Sequence, residues 1–447
     1  MNALAALSAN PVDVDLLIHP EWIIPIEPAG VTLSGHSLAV QDGLILGLLP
    51  NNEAAQRWRP RQTLDLPGQV LMPGLVNLHT HAAMSLLRGY ADDLPLMRWL
   101  SERIWPAESR HAGPEFVRDG TLLACAEMLR GGITTFNDMY FFPGAVAAAA
   151  KRVGMRAVIG IIAIEFPTSY AADADDYLAK GLAIRDDFAG DPLLSFCLAP
   201  HAPYTVADKT FSKIATLAAQ LELPIHVHVH ETRHEIEDSL KQHGVRPIER
   251  LRRLGLIGPQ LIAVHGVHLD PGEIDLLAHE GCHLAHCPTS NLKLGSGIAP
   301  LSAIQSHGMN FGFGTDGAAS NNRLDMFQEM RHAALLAKGA SQNPEALAAH
   351  ATLAAATLGG ARALGLDGRI GSLLPGKAAD LCAVRLDEWL IKPCFDPASH
   401  LVYVAGREQV SHTWVAGKLV MSNGIPAQIG ISELLDVAGL WHTHLTS

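Results

Sequence analysis

Charge and aromatic side chains are both scarce in this chain: 17% of its 447 residues are Asp, Glu, Lys or Arg, and 6% are Phe, Trp or Tyr. It has no extended block of lysines or arginines, and its net charge is −12. A nucleic-acid surface needs clustered positive charge, so that class of partner is not expected. No apolar run approaches the roughly 18–20 residues that cross a bilayer, so no membrane partner is expected either. The opening stretch, MNALAALSANPVDVD, lacks the basic segment and long apolar core of a secretory leader. Cys125, Cys197, Cys282, Cys287, Cys382 and Cys394 show no CxxC spacing and mostly sit inside apolar runs. They read as buried free thiols of a reduced compartment, not as a disulfide framework. A cytoplasmic protein is expected.

Hydrophobic residues make up 48% of the chain, ample for a large core. Residues 13 to about 68 alternate short apolar runs with turn signals, and Asp42-Gly43 between two such runs predicts a hairpin. Only NNEAAQRW looks helical there. From about 70 to 370, eight strand-like runs alternate with helical ones: LMPGLVNLHTH, ITTFNDM, RAVIGIIAI, LLSFCLAPH, PIHVHVHE, LIAVHGVH, CHLAHCP and MNFGFGTDG. Strands that are apolar nearly throughout and separated by helices indicate parallel pairing with both faces covered. Eight such units predict a (β/α)8 barrel. A doubly wound open sheet competes, but no Gly-rich phosphate loop follows the first strand. After an Ala/Leu-rich helical zone at 345–364 the chain returns to β character and ends in a helix, ISELLDVAGLW. The expected organisation is a barrel over 69–369 and a composite β-sandwich from 1–68 and 370–447.

Polar clusters fall at the C-terminal ends of the strands, where barrel active sites are built. Strand 1 ends in His79 and His81, which alternation aims at one spot, as a divalent zinc or iron ion requires. Strand 4 gives His201, strand 6 His265 and strand 8 Asp316. Strand 5 carries His226, His228 and His230 at alternate positions, on one face by period 2, and then Glu231. His226 reads as a buried structural histidine. Periodicity alone leaves His228 and His230 open as the third ligand, and Glu231 reads either as an acid at the site or as a helix N-cap.

The set PGLVNLHTH, APHAPYT, HVHETRHE, AVHGVHL, HCPTSNLKLGSG and GTDGAASNNRLDM resembles the amidohydrolase superfamily. More narrowly it resembles the deaminases that include 5'-methylthioadenosine/S-adenosylhomocysteine deaminase, with chlorohydrolases and guanine deaminase as relations. The resemblance places the His-x-x-Glu motif on His228 and Glu231. It implies one divalent ion, zinc or else iron, held by His79, His81, His228 and Asp316. No lysine stands at the end of strand 4 to bridge a second ion. It implies that His265 and Asp316 orient the attacking water and accept its proton. Glu231 then protonates the neighbouring ring nitrogen and Asp316 delivers a proton to departing ammonia. The chain lacks the H-x-E…P-C-x-x-C pattern of the cytidine deaminase type.

The long segment after strand 1 carries Trp99-Leu100 and Ile104-Trp105-Pro106-Ala107-Glu108, similar to that deaminase group. It reads as an irregular loop. The resemblance implies that Trp99 packs on the purine, Glu108 takes the two ribose hydroxyls and His201 binds a ring nitrogen. Trp105 reads as packing. Acceptance of S-adenosylhomocysteine would call for an arginine after strand 3. The stretch there, IGIIAIEFPTSYAADADDY, has several acids and neither Arg nor Lys. The expected activity is hydrolytic deamination of 5'-methylthioadenosine, with adenosine or S-adenosylhomocysteine as further candidates, in a homo-oligomer. The rival readings are a hydrolase of a free purine or triazine, and a non-catalytic binding barrel.

Overall fold

The computed structural model describes residues 11–446. The opening stretch read against a secretory leader therefore lies in part outside the described residues. Eight parallel strands form the barrel: β1 (Leu75–Thr80), β2 (Ile133–Asp138), β3 (Arg156–Ala163), β4 (Leu194–Pro200), β5 (Ile225–Val229), β6 (Leu261–His265), β7 (His283–His286) and β8 (Asn310–Phe313). They are hydrogen-bonded in sequence order, β1 at one end and β8 at the other. These are the eight runs expected from the sequence, dominated by β-branched and aliphatic residues that suit a strand covered on both faces.

Closure between β8 and β1 is made by specific groups. The Asp316 amide donates to the His79 carbonyl at 3.0 Å. The Asn77 amide group donates to Thr315 Oγ1 and accepts from the Thr315 backbone N–H, at 2.7 and 3.0 Å. The two chains approach so closely that a Cβ on Gly314 would lie 2.9 Å from the His79 nitrogen, so glycine is required there. Ile262 and Val264 pair in register with His226 and His228 and share their face. They belong to an apolar cluster with Val76, Leu78, Val158 and Ala285, which packs on the face that carries the histidines.

A nine-stranded sheet drawn from both ends of the chain covers one side of the barrel. Its long strand Trp58–Pro73 runs parallel to Val12–Ile23 and antiparallel to Leu381–Arg385, and so joins the N- and C-terminal contributions. The Asp42-Gly43 hairpin forms as expected, both residues at positive φ. Gly43 abuts the Ala416-Gly417 turn from the other end of the sheet, folding the sheet over a core that includes Ile18, Leu38, Leu381 and Trp414. Arg156 at the start of β3 forms a buried two-bond ion pair with Asp380, which directly precedes the strand Leu381–Arg385 of this sheet, at 2.8 and 3.1 Å.

The expected first strand is divided. Leu71–Pro73 end the long strand of the terminal sheet, and β1 begins at Leu75. Gly74 joins them, and a Cβ on it would lie 2.1 Å from Thr134 Oγ1. The segment expected to be an irregular loop is helical instead, running through Leu96–Trp99, Leu100–Ile104 and Trp105–His111. Its start follows Pro95, and the absence of glycine from 96–111 lets the turns continue. Among the described residues, no helix is long and apolar enough to cross a membrane.

Candidate active site

The residues at the C-terminal strand ends converge. His79 Nε2 lies 3.2 Å from His228 Nε2 and 3.3 Å from Asp316 Oδ1, which is also 3.3 Å from His81 Nε2. Donor atoms about 2.0–2.1 Å from a tetrahedral ion stand ~3.3 Å apart, so this spacing fits one such ion. The orientation of the rings agrees. His81 Nδ1 donates to the Met139 carbonyl at 2.6 Å and His228 Nδ1 to the His201 carbonyl at 2.7 Å. A carbonyl only accepts, so both protons sit on Nδ1 and both Nε2 lone pairs face inward. His79 Nδ1 meets His226 Nε2 at 2.9 Å. The residues therefore suit a divalent cation.

Expected alternation fails at one histidine. His230 follows the end of β5 with φ +56°, and its ring turns away toward the His268 carbonyl and Glu273. This turn is held by Glu235, whose carboxylate accepts the backbone N–H groups of His230 and Glu231, each at 2.9 Å. His226 is fully buried, as expected. His265 and Asp316 also adopt left-handed backbone, at φ +73° and +59°, a strained conformation that accumulates at functional sites.

Glu231 is not the helix cap. Thr232 is, its hydroxyl accepting from the Glu235 N–H. The Glu231 carboxyl is buried, which pushes its pKa up, and lies 3.8 Å from His265 Nε2. His265 Nδ1 donates to Asn291 Oδ1 at 2.8 Å. Asp316 Oδ2 accepts from Ser290 Oγ at 2.6 Å and Ser320 Oγ at 3.0 Å. The sequence reading missed Ser290, Asn291, Ser320 and Glu235. All four lie inside the motifs HCPTSNLKLGSG, GTDGAASNNRLDM and HVHETRHE, which carried the resemblance but assigned them no role.

Above these groups opens a cavity of about 430 Å³, lined by His81, His201, His228, Glu231, His265 and Asp316 at its base and by Trp99, Trp105, Tyr140, Phe141 and Phe166 along its walls. Trp105, read as packing, lines it and meets Phe166 edge-on at 5.9 Å. Trp99 is buried, and its indole N–H has no partner among the described residues. Burial pushes the Glu108 carboxyl up to about 7, although it accepts a 2.6 Å hydrogen bond from the Tyr140 hydroxyl. Tyr140, two residues past β2, was not singled out in the sequence. His201 Nδ1 meets Thr205 Oγ1 at 2.9 Å, and burial pushes its pKa down to about 3.

No Lys or Arg is among the described residues that line the cavity. The acids expected to make the strand 3 loop hostile to a carboxylate are occupied elsewhere. Glu165 accepts from Thr210 and the Ala207 N–H, and Asp173 caps the helix Ala174–Asp187. The loop presents Phe166, Pro167, Thr168 and Ser169 to the cavity instead.

Relatives carry the same architecture. The chain is 43% identical to a 5-methylthioadenosine/S-adenosylhomocysteine deaminase of Teredinibacter turnerae, over 98% of this chain and 99% of that one. A crystal structure of an adenosine deaminase from Xanthomonas campestris with bound zinc superimposes with a TM-score of 0.96, at 49% identity and covering 98% and 99% of the two chains. An atrazine chlorohydrolase from Arthrobacter aurescens, complexed with zinc, is more distant, with a TM-score of 0.86 at 25% identity over 95% and 99%. The amidohydrolase family model matches residues 70–420, which include the whole barrel and every converging side chain, and the chain belongs to the amidohydrolase family.

Proposed function

We propose that this protein is a deaminase of adenine nucleosides, with 5'-methylthioadenosine as its preferred substrate, and that it works with one zinc ion per chain. The observation that carries this reading is the pair of buried carboxyls, Glu231 and Glu108, that line one aromatic cavity. Glu231 stands beside the converging histidines, and Glu108 stands on the helical wall. A group that must be protonated at a ring nitrogen and another that accepts hydroxyls suit the two ends of a nucleoside.

In this reading His79, His81, His228 and Asp316 hold the ion. Once bound, it supplies the Lewis acidity that lowers the pKa of water to about 7. His265 and Asp316 orient the attacking water and take its proton. Glu231, whose carboxyl burial pushes up in pKa, donates a proton to the ring nitrogen beside C6. Asp316 returns the water's proton to the departing ammonia, and the C6 hydroxyl proton passes to Glu231 as the carbonyl forms. Glu108 accepts the ribose hydroxyls with the oxygen that Tyr140 leaves free, His201 meets a purine nitrogen and Trp99 packs against the ring. The barrel, β1 to β8, carries the chemistry, and the terminal sheet, whose strand Trp58–Pro73 runs past the expected boundary at 69, buttresses it. A cytoplasmic homo-oligomer completes the reading.

The testing experiment is ammonia release from methylthioadenosine, adenosine, S-adenosylhomocysteine, adenine, guanine and a chlorinated triazine, using zinc-loaded protein. Turnover of the nucleosides is expected. Turnover confined to free bases or the triazine would replace this reading with the corresponding hydrolase.

A further inference from the structure

Strand β7 supplies none of the groups invoked so far, yet the turn after it reaches two of them. Ser290 and Asn291 are adjacent in the short helix Pro288–Lys293, and both are buried. We infer that this pair positions the two groups that handle protons: Asn291 sets the tautomer of His265, and Ser290 sets which oxygen Asp316 turns toward the ligand histidines. The inference rests on the proposed deaminase reading for the roles of His265 and Asp316, and goes beyond it in assigning what holds them.

A neutral imidazole can place its proton on either nitrogen, and its ring can flip. Asn291 Oδ1 removes that freedom at 2.8 Å from His265 Nδ1. The proton is retained on Nδ1, and Nε2 presents a lone pair on the side where Glu231 Oε2 lies 3.8 Å away. The other end of the same amide, Asn291 Nδ2, is buried with no partner among the described residues. An asparagine retained only to satisfy local structure would engage both ends, so the acceptor end is the one in use. The Asn291 backbone is held separately, its N–H donating to the Cys287 carbonyl and its own carbonyl accepting from the Ser296 N–H. The side chain is therefore not needed to maintain the turn.

Ser290 acts on the other group. Its hydroxyl and that of Ser320 both donate to Asp316 Oδ2. The two O–H donors on Oδ2, together with the Gly317 N–H that donates to Oδ1 at 2.8 Å, turn Oδ1 toward His79 and His81, 3.3 Å from each Nε2. One turn thus orders a histidine from β6 and an aspartate that follows β8. The cost of losing such outer partners in metal sites is typically 10- to 100-fold.

The test uses full-length, zinc-loaded protein. Asn291→Leu should lower kcat for methylthioadenosine about 10- to 100-fold, with KM within about 3-fold and zinc content unchanged. Asn291→Asp keeps an acceptor oxygen and should recover most of the loss. Ser290→Ala should lose zinc to a competing chelator about 10- to 100-fold more readily, at an unchanged melting temperature of the zinc-free protein. Thermal unfolding checks each variant, and Asn291→Ala replaces the leucine variant if that one does not fold. Wild-type kcat in Asn291→Leu, or an Asn291→Asp no better than it, overturns the assignment for Asn291. Unaltered zinc retention in Ser290→Ala overturns the assignment for Ser290. A wild type that deaminates no adenine nucleoside would instead sink the proposed function, and the chelator measurement, which needs no substrate, would still decide on Ser290.

Discussion

His79 Nδ1 lies 2.9 Å from His226 Nε2, so an imidazole at the mouth of the barrel is held by a second imidazole two residues deeper than His228. The neighbouring ligand candidates use backbone carbonyls for the same purpose. The other nitrogen of His226 is buried without a partner among the described residues, which fits a ring kept for its contact with His79.

This arrangement predicts how the metal is held. The protein should bind one divalent ion per chain, and His228→Ala should lose it. His226→Leu should bind the same ion about 10- to 100-fold more weakly, because His79 loses the partner that keeps its Nε2 directed inward. Elemental analysis and chelator competition measure both. Two tightly held ions per chain in the wild type, or full metal content in His228→Ala, would contradict the ligand set.

Glu231→Gln removes a proton donor while keeping shape. It should retain zinc and nucleoside binding and lose at least ~10²-fold in kcat, the usual scale for a general acid. The comparison is single-turnover rate against substrate affinity in the same variant. A near-normal rate would leave the buried carboxyl without the assigned role, since Thr232 already caps the following helix.

Much of this was legible in the sequence because it depends on local pattern. Eight apolar runs with helices between them give the barrel, and His-x-His at a strand end gives the first two converging side chains. The parts that were not legible are set by contacts between distant segments. His230 leaves the face that alternation assigns to it because Glu235 captures two backbone N–H groups at that point. Leu71–Pro73 and Leu75–Thr80 read as one strand because both are apolar, and only the approach of Thr134 shows why the chain must pass through Gly74. Tyr140 and Asn291 gain their roles from partners 32 and 26 residues away, so their local sequence assigns them none.

Buried acids make stability depend on pH in a stated direction. Glu329 is fully buried between Thr289 and Asn321, and burial pushes its carboxyl up to about 8 from 4.5. Between those two values the folded chain keeps a proton that the unfolded chain has released. Stability is therefore lost as pH rises from about 4.5 to 8, by at most about 5 kcal/mol for this group. Glu329→Gln, which cannot ionise, should flatten that part of the pH profile. Denaturant midpoints at pH 5, 6.5 and 8 for both proteins would show it, and parallel slopes would contradict it.

Specificity turns on Glu108 and on the absence of a cation. The Tyr140 hydroxyl occupies Glu108 Oε1 at 2.6 Å, leaving Oε2 as the acceptor for a ribose diol. Glu108→Ala should therefore lower kcat/KM for methylthioadenosine and spare 2',3'-dideoxy analogues. Each lost hydrogen bond to a charged group costs about 1.5–3 kcal/mol, or roughly 10- to 150-fold. The far wall offers Trp105 and Phe166, and no Lys or Arg lines the cavity among the described residues. An apolar 5' methylthio group gains from that wall, whereas the homocysteine carboxylate of S-adenosylhomocysteine would lose hydration there without finding a partner. Methylthioadenosine should thus be the better substrate, and an arginine at Phe166 should narrow the difference by supplying the missing charge. Measuring kcat/KM for both nucleosides on wild type, Glu108→Ala and Phe166→Arg separates the two claims. Equal wild-type values would mean that a cation from outside this cavity meets the carboxylate. An unchanged Glu108→Ala would remove the ribose contact, and with it the main ground for preferring a nucleoside to a free base.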